Sequence, residues 1–380
     1  MNKRIELVKE TFPKYELDGV VVNPGASLRW LTGLGFHLME RPVVIYLGKE
    51  GKPLIIMPEL ELAKLKGMED ELEVHPFGDD PSTWQGVFTE ALGTSQGKDL
   101  RIGVEPTSLR LLEMNLLQNA LPDAHFVDAS AAFAEMRMIK DEQELAKMRK
   151  AAEIAEAALL ETLRTVRVGQ TEKEIASELV IQLYRHGSDT DLPFAPIVSS
   201  GPNSANPHAS PSERRLQAGD VLLVDWGAGF EGYFSDITRS FFVDYVDERL
   251  VEAAEAVQRA NYYGVAAVRP GMTAGEIDAA ARDEIEESGF GIYFTHRTGH
   301  GLGMEAHEAP YIFSGNPLIL KEGMVFTIEP GIYIPEIGGI RIEDNVVVTR
   351  DGFNCLTSLP REVETIERYL ELMDFFGGLA

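Results

Sequence analysis

The stretch Val221–Asp236, VLLVDWGAGFEGYFSD, decides the fold. It opens on an apolar, strand-like run that ends at Asp225. It then passes Gly227, Gly229 and Gly232 and reaches a second carboxylate at Asp236. The glycine-rich middle predicts a hairpin, although a bulge would shift its register. Its centre is read between Phe230 and Glu231, which sets Asp225 opposite Asp236. Directly opposed residues on one face have Cβ atoms roughly 4.5–5.5 Å apart. Two carboxylates that close repel unless a cation or a shared proton lies between them. Two solvated aspartates at strand ends would read the same way in this stretch alone.

An internal repeat separates the two readings. Val166-Arg167-Val168-Gly169-Gln170-Thr171, followed by Glu174-Ile175, returns 102 residues later as Val268-Arg269-Pro270-Gly271-Met272-Thr273, followed by Glu276-Ile277. In each copy a long helix is expected to end at the glycine, and the threonine to cap the next helix. Downstream, Val224-Asp225-Trp226-Gly227 corresponds to Ile328-Glu329-Pro330-Gly331, an offset of 104 residues. Both halves therefore read helix, helix, strands, with a carboxylate closing the equivalent strand. Packed as pseudo-symmetric partners, they bring Asp225 and Glu329 to a common centre.

The second half holds its own hairpin, Glu329–Glu343, EPGIYIPEIGGIRIE. Centred on Glu336, it sets Glu329 against Glu343, with Arg341 on the same face. Asp225, Asp236, Glu329 and Glu343 cannot all be ionised in one buried site without strong compensation. Arg341 supplies one positive charge, and two divalent metals would supply four. His300, in Thr298-Gly299-His300-Gly301-Leu302-Gly303, adds an imidazole where glycines let a backbone come close. His307 and His208 are further candidates. His37, His75, His125 and His186 read as ordinary core or surface histidines. Such a carboxylate-rich set with one imidazole suits Mn²⁺, Co²⁺, Fe²⁺ or Zn²⁺.

The first third alternates short apolar strands (18–22, 43–47, 54–57, 101–104) with helical segments (3–13, 59–65, 84–92, 109–120), the pattern of an α/β domain. A long Ala-, Glu- and Lys-rich helix follows over 141–166, so the domain boundary is placed at 135/136. The net charge of −26 argues against nucleic acid and against an anionic membrane surface as partners. Cys355 is the sole cysteine, so no internal disulfide forms and a reducing compartment fits. The start, MNKRIELVKE, lacks the apolar core of a signal peptide, and no apolar run approaches the 18 or so residues of a membrane span. A cytoplasmic location is the expectation.

With Val224–Gly227, Ser235–Arg239, Gly299–Gly303, Ile328–Gly331 and Arg341–Asp344 in order, the region from about Met136 resembles the pita-bread metallopeptidases, the M24 group of methionine aminopeptidase, aminopeptidase P and prolidase. The N-terminal part resembles the additional domain of the aminopeptidase P and prolidase branch. The resemblance implies an α/β domain over 1–135 and an α+β pita-bread (creatinase/aminopeptidase-like) catalytic domain with a pseudo-two-fold repeat over 136–380.

It also implies roles. Asp225 would chelate one metal, Asp236 and Glu343 would bridge two, and His300 and Glu329 would hold the second, manganese being the favoured ion. A hydroxide bridging the metals would attack the peptide carbonyl, and Glu329 would pass the proton to the leaving nitrogen. His208 and His307 would flank the substrate, and Arg341 would orient a bridging carboxylate. The implied activity is hydrolysis of the Xaa-Pro bond at the N-terminus of dipeptides or short proline-containing peptides, by a homodimer.

Some dipeptidase members carry an arginine after the His-Glu-x-Pro run. Tyr311 stands there in this chain, which leaves room for longer peptides. Arg297 could instead meet a substrate carboxylate. His37 and Trp30 could reach the site of a partner subunit, or be an ordinary loop residue and a core tryptophan. The competing expectations are a creatinase-like hydrolase on a small non-peptide substrate and a peptidase-like binding module without catalysis.

Overall fold

The computed structural model describes residues 1–377 apart from 69 and 94–98. The chain divides into two compact units, Met1–Arg137 and Met138–Ala380. Among the described residues no helix is long and apolar enough to cross a membrane.

The first unit is built on a six-stranded mixed sheet. Its strands are β1 (Gly19–Val22), β2 (Val44–Gly48), β3 (Leu54–Pro58), β4 (Glu73–Phe77), β5 (Arg101–Val104) and β6 (His125–Asp128), in the order β4-β3-β2-β1-β5-β6. β1, β2 and β3 are buried along their whole length, hence their unbroken apolar runs. β4 and β6 are the edges, half exposed and polar, and so carry no such run. The helices are α1 (Asn2–Tyr15), α2 (Ala26–Thr32), α3 (Pro81–Gly93), α4 (Leu111–Ala120) and α5 (Ser130–Met138). The segment 59–65, expected as a helix, is a 3₁₀ turn that buries only Leu65, too little apolar surface to hold an α-helix. Trp30 lies in the core of this unit, 5% exposed, as the second of its two readings, a core tryptophan, had it. His37 is exposed.

The second unit carries the repeat as structure. Its first half holds α6 (Glu142–Leu163), α7 (Glu172–Arg185), β7 (Ile197–Ser200), β8 (Val221–Trp226), β9 (Gly229–Phe230), β10 (Tyr233–Phe234) and β11 (Ile237–Phe242). The second half holds α8 (Glu248–Ala267), α9 (Ala274–Glu287), β12 (Gly299–Gly301), β13 (Glu308–Ile312), β14 (Val325–Ile328), β15 (Gly331–Ile334), β16 (Gly338–Arg341), β17 (Asp344–Val348) and β18 (Phe353–Cys355), with α10 (Ile366–Gly377) at the end.

Thr171 and Thr273 each close a capping box, with Glu174 and Glu276 three residues on. Gly169 and Gly271 adopt φ of 92° and 90°. Their N–H groups donate to Leu216 and Leu320, at 2.8 and 3.0 Å. The long helices stop earlier than expected, at Leu163 and Ala267, because the two glycines turn the connecting segment rather than the last helical turn.

Each half presents one long, interrupted hairpin. In the second, β15 pairs with β16 and β14 with β17 in a single register that sets Glu329 level with Glu343, with Glu336 at φ 64° in the turn. That is the register read from the sequence. In the first, the register differs from the expectation. Phe230 pairs with Tyr233, Ile237 with Trp226, and Asp225 faces Thr238 rather than Asp236. The turn falls one residue later, on Glu231 and Gly232, both at positive φ (49° and 81°), as a two-residue hairpin loop of the primed type requires. The displacement is two positions on the partner strand, so Asp236 keeps the same face and lies diagonal to Asp225. A bridge between Thr238 and Glu343 joins the two hairpins at the centre of the pseudo-symmetry.

Candidate metal centre

Each hairpin is interrupted where its acids emerge. Asp225 is the fifth residue of β8, Asp236 lies between β10 and β11, Glu329 follows β14 and Glu343 lies between β16 and β17. His300 comes from β12, whose pairing with β13 shifts register at His300/Gly301. Such a bulge re-aims a side chain. Its flanking glycines are obligatory. A Cβ on Gly299 would lie 1.8 Å from the Thr327 carbonyl oxygen, and one on Gly301 2.2 Å from that of Ala309.

These elements bring all five expected ligands together. Donor atoms of Asp225, Asp236 and Glu343 lie within 4.8 Å of one another, as do those of His300, Glu329 and Glu343. Glu343 belongs to both groups and joins them into one centre.

Hydrogen bonds orient the donors. His300 Nδ1 donates to the Gly301 carbonyl at 3.1 Å, which turns Nε2 toward the acids. That Nε2 lies 3.2 Å from Glu329 Oε1 and 3.7 Å from Asp236 Oδ2. Thr327 Oγ1 donates to Glu329 at 3.2 Å and Thr238 Oγ1 to Glu343 at 2.6 Å. Arg341 Nη2 pairs with Asp225 at 2.5 Å, while its Nε reaches Thr238 Oγ1 at 3.1 Å. Arg341 thus meets Asp225 directly and Glu343 only through Thr238.

The electrostatics call for a cation. Burial pushes the Asp236 and Glu343 carboxyls well above the usual range, and their anionic neighbours push further. Burial also raises Asp225, against the pull of Arg341. Burial works upward on Glu329 too, but the hydrogen bond and charge of His300 outweigh it and hold the carboxyl at about 2. Asp225 Oδ1 is buried without a hydrogen-bond partner. An imidazole nitrogen set among carboxylates, an orphaned carboxylate oxygen and three acids crowded together are what hard or borderline divalent ions satisfy. The residues fit such ions.

A cavity of about 530 Å³ opens above the acids. His208, His307, His296 and Arg297 line it, with Phe194, Ile197 and Pro207 as an apolar wall. The His307 ring lies 3.8 Å from that of His300, centroid to centroid. Burial lowers the His307 pKa to about 4, so it is neutral near pH 7.

His296 escaped the sequence reading, although it stands only four residues before His300. It accepts from Tyr333 OH at 2.8 Å, and Arg341 Nη1 donates to the same hydroxyl at 2.7 Å. Burial raises the Tyr333 phenol to about 12, so it keeps its proton for His296. The chain Asp225–Arg341–Tyr333–His296 ties the acids to the cavity wall.

The loop carrying His208 is held from below by Glu172, which is 0% exposed. Its carboxylate accepts from Ser200 N and Oγ at 2.7 and 2.8 Å, Ser212 N and Oγ at 3.0 and 2.6 Å, and Asn203 Nδ2 at 3.1 Å. Replacing Glu172 by Ala leaves these donors buried and unpaired. We expect destabilisation by about 3 kcal/mol, the scale of a buried charged acceptor lost, read by denaturant unfolding. A change below roughly 1 kcal/mol would refute the hub role.

A duplicated α+β domain closing on a carboxylate–histidine centre, following an α/β domain along the chain, defines a class of metal-dependent hydrolase. Residues 146–350 match the model of metallopeptidase family M24, and residues 4–139 that of the creatinase/prolidase N-terminal domain. The chain belongs to metallopeptidase family M24, whose members use divalent metal ions. It is 35% identical to an Xaa-Pro dipeptidase of Lactobacillus delbrueckii subsp. lactis over 92% of this chain and 95% of that protein. A crystal structure of a dipeptidase from Pyrococcus horikoshii OT3 superimposes with a TM-score of 0.90 at 37% identity, covering 95% of this chain and 99% of that one. An X-Pro aminopeptidase from Thermotoga maritima MSB8 gives a TM-score of 0.81 at 33% identity, covering 92% and 98%.

Proposed function

We propose that this protein is a dinuclear-metal peptidase that hydrolyses the Xaa-Pro bond at the N-terminus of dipeptides or short peptides. The observation that carries the proposal is the meeting of two pseudo-symmetric hairpins at Glu343, where two donor groups share one carboxylate. Asp225, Asp236 and Glu343 would hold one ion, and His300, Glu329 and Glu343 the other. Two of the relatives named above are called an Xaa-Pro dipeptidase and an X-Pro aminopeptidase, and the third a dipeptidase.

The bound ions supply Lewis-acid activation of the scissile carbonyl and of the attacking water. Glu329, ionised at neutral pH, takes the proton from that water and delivers it to the leaving proline nitrogen. His307, neutral, and His208 face the oxygen on which charge develops. Arg341 and Tyr333 hold Asp225 and His296 in place. The wall of Phe194, Ile197 and Pro207 takes the apolar ring of proline. A homodimer and a cytoplasmic setting complete the proposal, and light scattering tests the first.

The experiment strips the protein with a chelator and restores Mn²⁺, Co²⁺, Zn²⁺ or Fe²⁺ separately. An Xaa-Pro dipeptide is offered beside an Xaa-Pro-Yaa tripeptide while thermal unfolding is followed in parallel. We expect cleavage only with metal, best with Mn²⁺. We also expect the midpoint to rise on reloading, because ligand at about 100 times its Kd adds about 2.7 kcal/mol. A midpoint indifferent to every ion would overturn the metal centre. A metal-dependent midpoint with neither peptide cut would overturn the substrate class alone.

A further inference from the structure

The strands that carry Glu329 and Glu343 part at the acids. Glu329 N donates to the Thr298 carbonyl at 2.8 Å and Glu343 N to that of Thr238 at 3.1 Å, so each N–H is turned away from the opposite strand. The bond across the gap from Ile342 N to the Pro330 carbonyl is long, 3.4 Å. A side chain of α8 spans the opening instead. Asn261 Nδ2 donates to the Ile328 carbonyl at 3.0 Å and to the Ile342 carbonyl at 3.3 Å. These residues immediately precede Glu329 and Glu343. Carbonyls only accept, so the two partners fix which way the amide points.

Asn261 is out of character with its place. It is 0% exposed, and every other buried residue of α8 is Leu, Ala, Val or Gly. Its Oδ1 is buried with no hydrogen-bond partner among the described residues. Such an unpaired oxygen costs about 1–3 kcal/mol, which an apolar residue would avoid. The helix packs closely enough for the short side chain to reach: a Cβ on Gly264, three residues on, would lie 3.0 Å from Ile328 Cγ2.

The first half of the repeat is built differently. There the strand reaches the helix, with Trp226 Nε1 donating to the Ala155 carbonyl at 2.9 Å, while Glu156 of α6 turns to Ser358 and Leu359. Glu343 is also fixed to the first hairpin, by Thr238 Oγ1 on its carboxylate and Arg239 on its carbonyl. The strap therefore bears on where Glu329 stands relative to Glu343, and it touches neither Asp225 nor Asp236.

We infer that Asn261 is a positioning residue of the metal centre. By strapping Ile328 to Ile342 it sets the separation of Glu329 and Glu343. It thereby tunes the affinity of the ion those two hold with His300, separately from the ion held with Asp225 and Asp236. The inference rests on the dinuclear reading above.

The test titrates Mn²⁺ into the chelator-stripped full chain by calorimetry, with the unfolding midpoint of the metal-free protein measured alongside. Wild type should take up two ions, and His300→Ala marks the step that depends on His300. Asn261→Leu keeps the branched shape and removes the amide. It should weaken that same step by about 10- to 100-fold, the range for a partner that orients a metal ligand, and leave the other within about threefold. Asn261→Ser, with one donor in place of two, should show the same split at smaller size. It removes volume rather than adding any, so it serves if the leucine variant does not fold.

A purely structural amide would lower the metal-free midpoint and move both steps together. Equal weakening of both steps would thus overturn the inference, and so would a His300-dependent step unchanged in the variants. Either result leaves the dinuclear centre standing. Uptake of one ion or none by wild type would remove the dinuclear reading and the inference with it.

Discussion

Glu329→Gln is expected to lower kcat for an Xaa-Pro dipeptide by on the order of 10³-fold, the range of a positioned acid–base group. Glutamine keeps the size of the side chain and an oxygen for Thr327 Oγ1, now at 3.2 Å. It loses the negative charge beside His300 Nε2, at 3.2 Å, and the ability to carry a proton. The pull of His300 outweighs burial and holds the wild-type carboxyl at about 2, so it is ionised at neutral pH. Metal content measured alongside kcat separates two parts of the role. Lost metal marks Glu329 as a holder, and lost rate with metal retained marks it as the proton carrier. A kcat within tenfold of wild type at full metal content would refute both.

The largest expected effect on stability comes from Arg239→Met. Arg239 is 1% exposed, and nothing around it is solvent. It donates to the carbonyls of Pro360 (2.8 Å), Thr238 (2.9 Å), Glu343 (2.7 Å) and Leu359 (2.8 Å), and to Asp344 Oδ1 at 2.8 Å. Arg361 and Thr357 complete the shell of Asp344, at 2.6 and 2.8 Å. Burial alone would raise Asp344, but the two arginines outweigh it and hold it at about 2. Methionine fills much of the volume and leaves that carboxylate short of a partner. Breaking one side of a buried pair costs about 3–5 kcal/mol. In a unit of this size that is a midpoint drop of roughly 6–20 °C. The same change frees the backbone of Glu343, the carboxylate shared by both donor groups, so metal retention should fall with stability. A drop under roughly 2 °C in differential scanning calorimetry would refute the clamp.

The two hairpins show what a sequence can and cannot say. Glu329–Glu343 has one turn-forming segment near its middle, Pro335 to Gly339, and its register follows from it. Val221–Asp236 has three glycines spaced along its middle, each able to turn. Only packing against the neighbouring segment selects Glu231-Gly232, where Asp189 Oδ2 accepts from Gly232 N at 2.9 Å, a contact between residues 43 apart in the chain. The candidate ligands survived the misread register because its error was two positions, which preserves the face.

His296 was missed for a different reason. Nothing local marks it, and its importance lies in Tyr333, 37 residues away, and through it in Arg341. Thr238 and Thr327 likewise look like ordinary strand residues until Glu343 and Glu329 are placed against them.

The sequence by itself determined the order of elements, the repeat with its paired capping threonines, and the candidate donors that the fold brings together. These rest on short-range chemistry: apolar periodicity, a hydroxyl three residues before a glutamate, glycine where φ must be positive. Only the tertiary structure decided that Asp225 faces Thr238, that His300 turns Nε2 toward the acids, that Arg341 pairs with Asp225 and that Arg297 stacks on Tyr311. Each of those depends on which backbone atom or charge lies within about 3–4 Å after distant segments meet, and the spacing of residues along a chain carries no such distances.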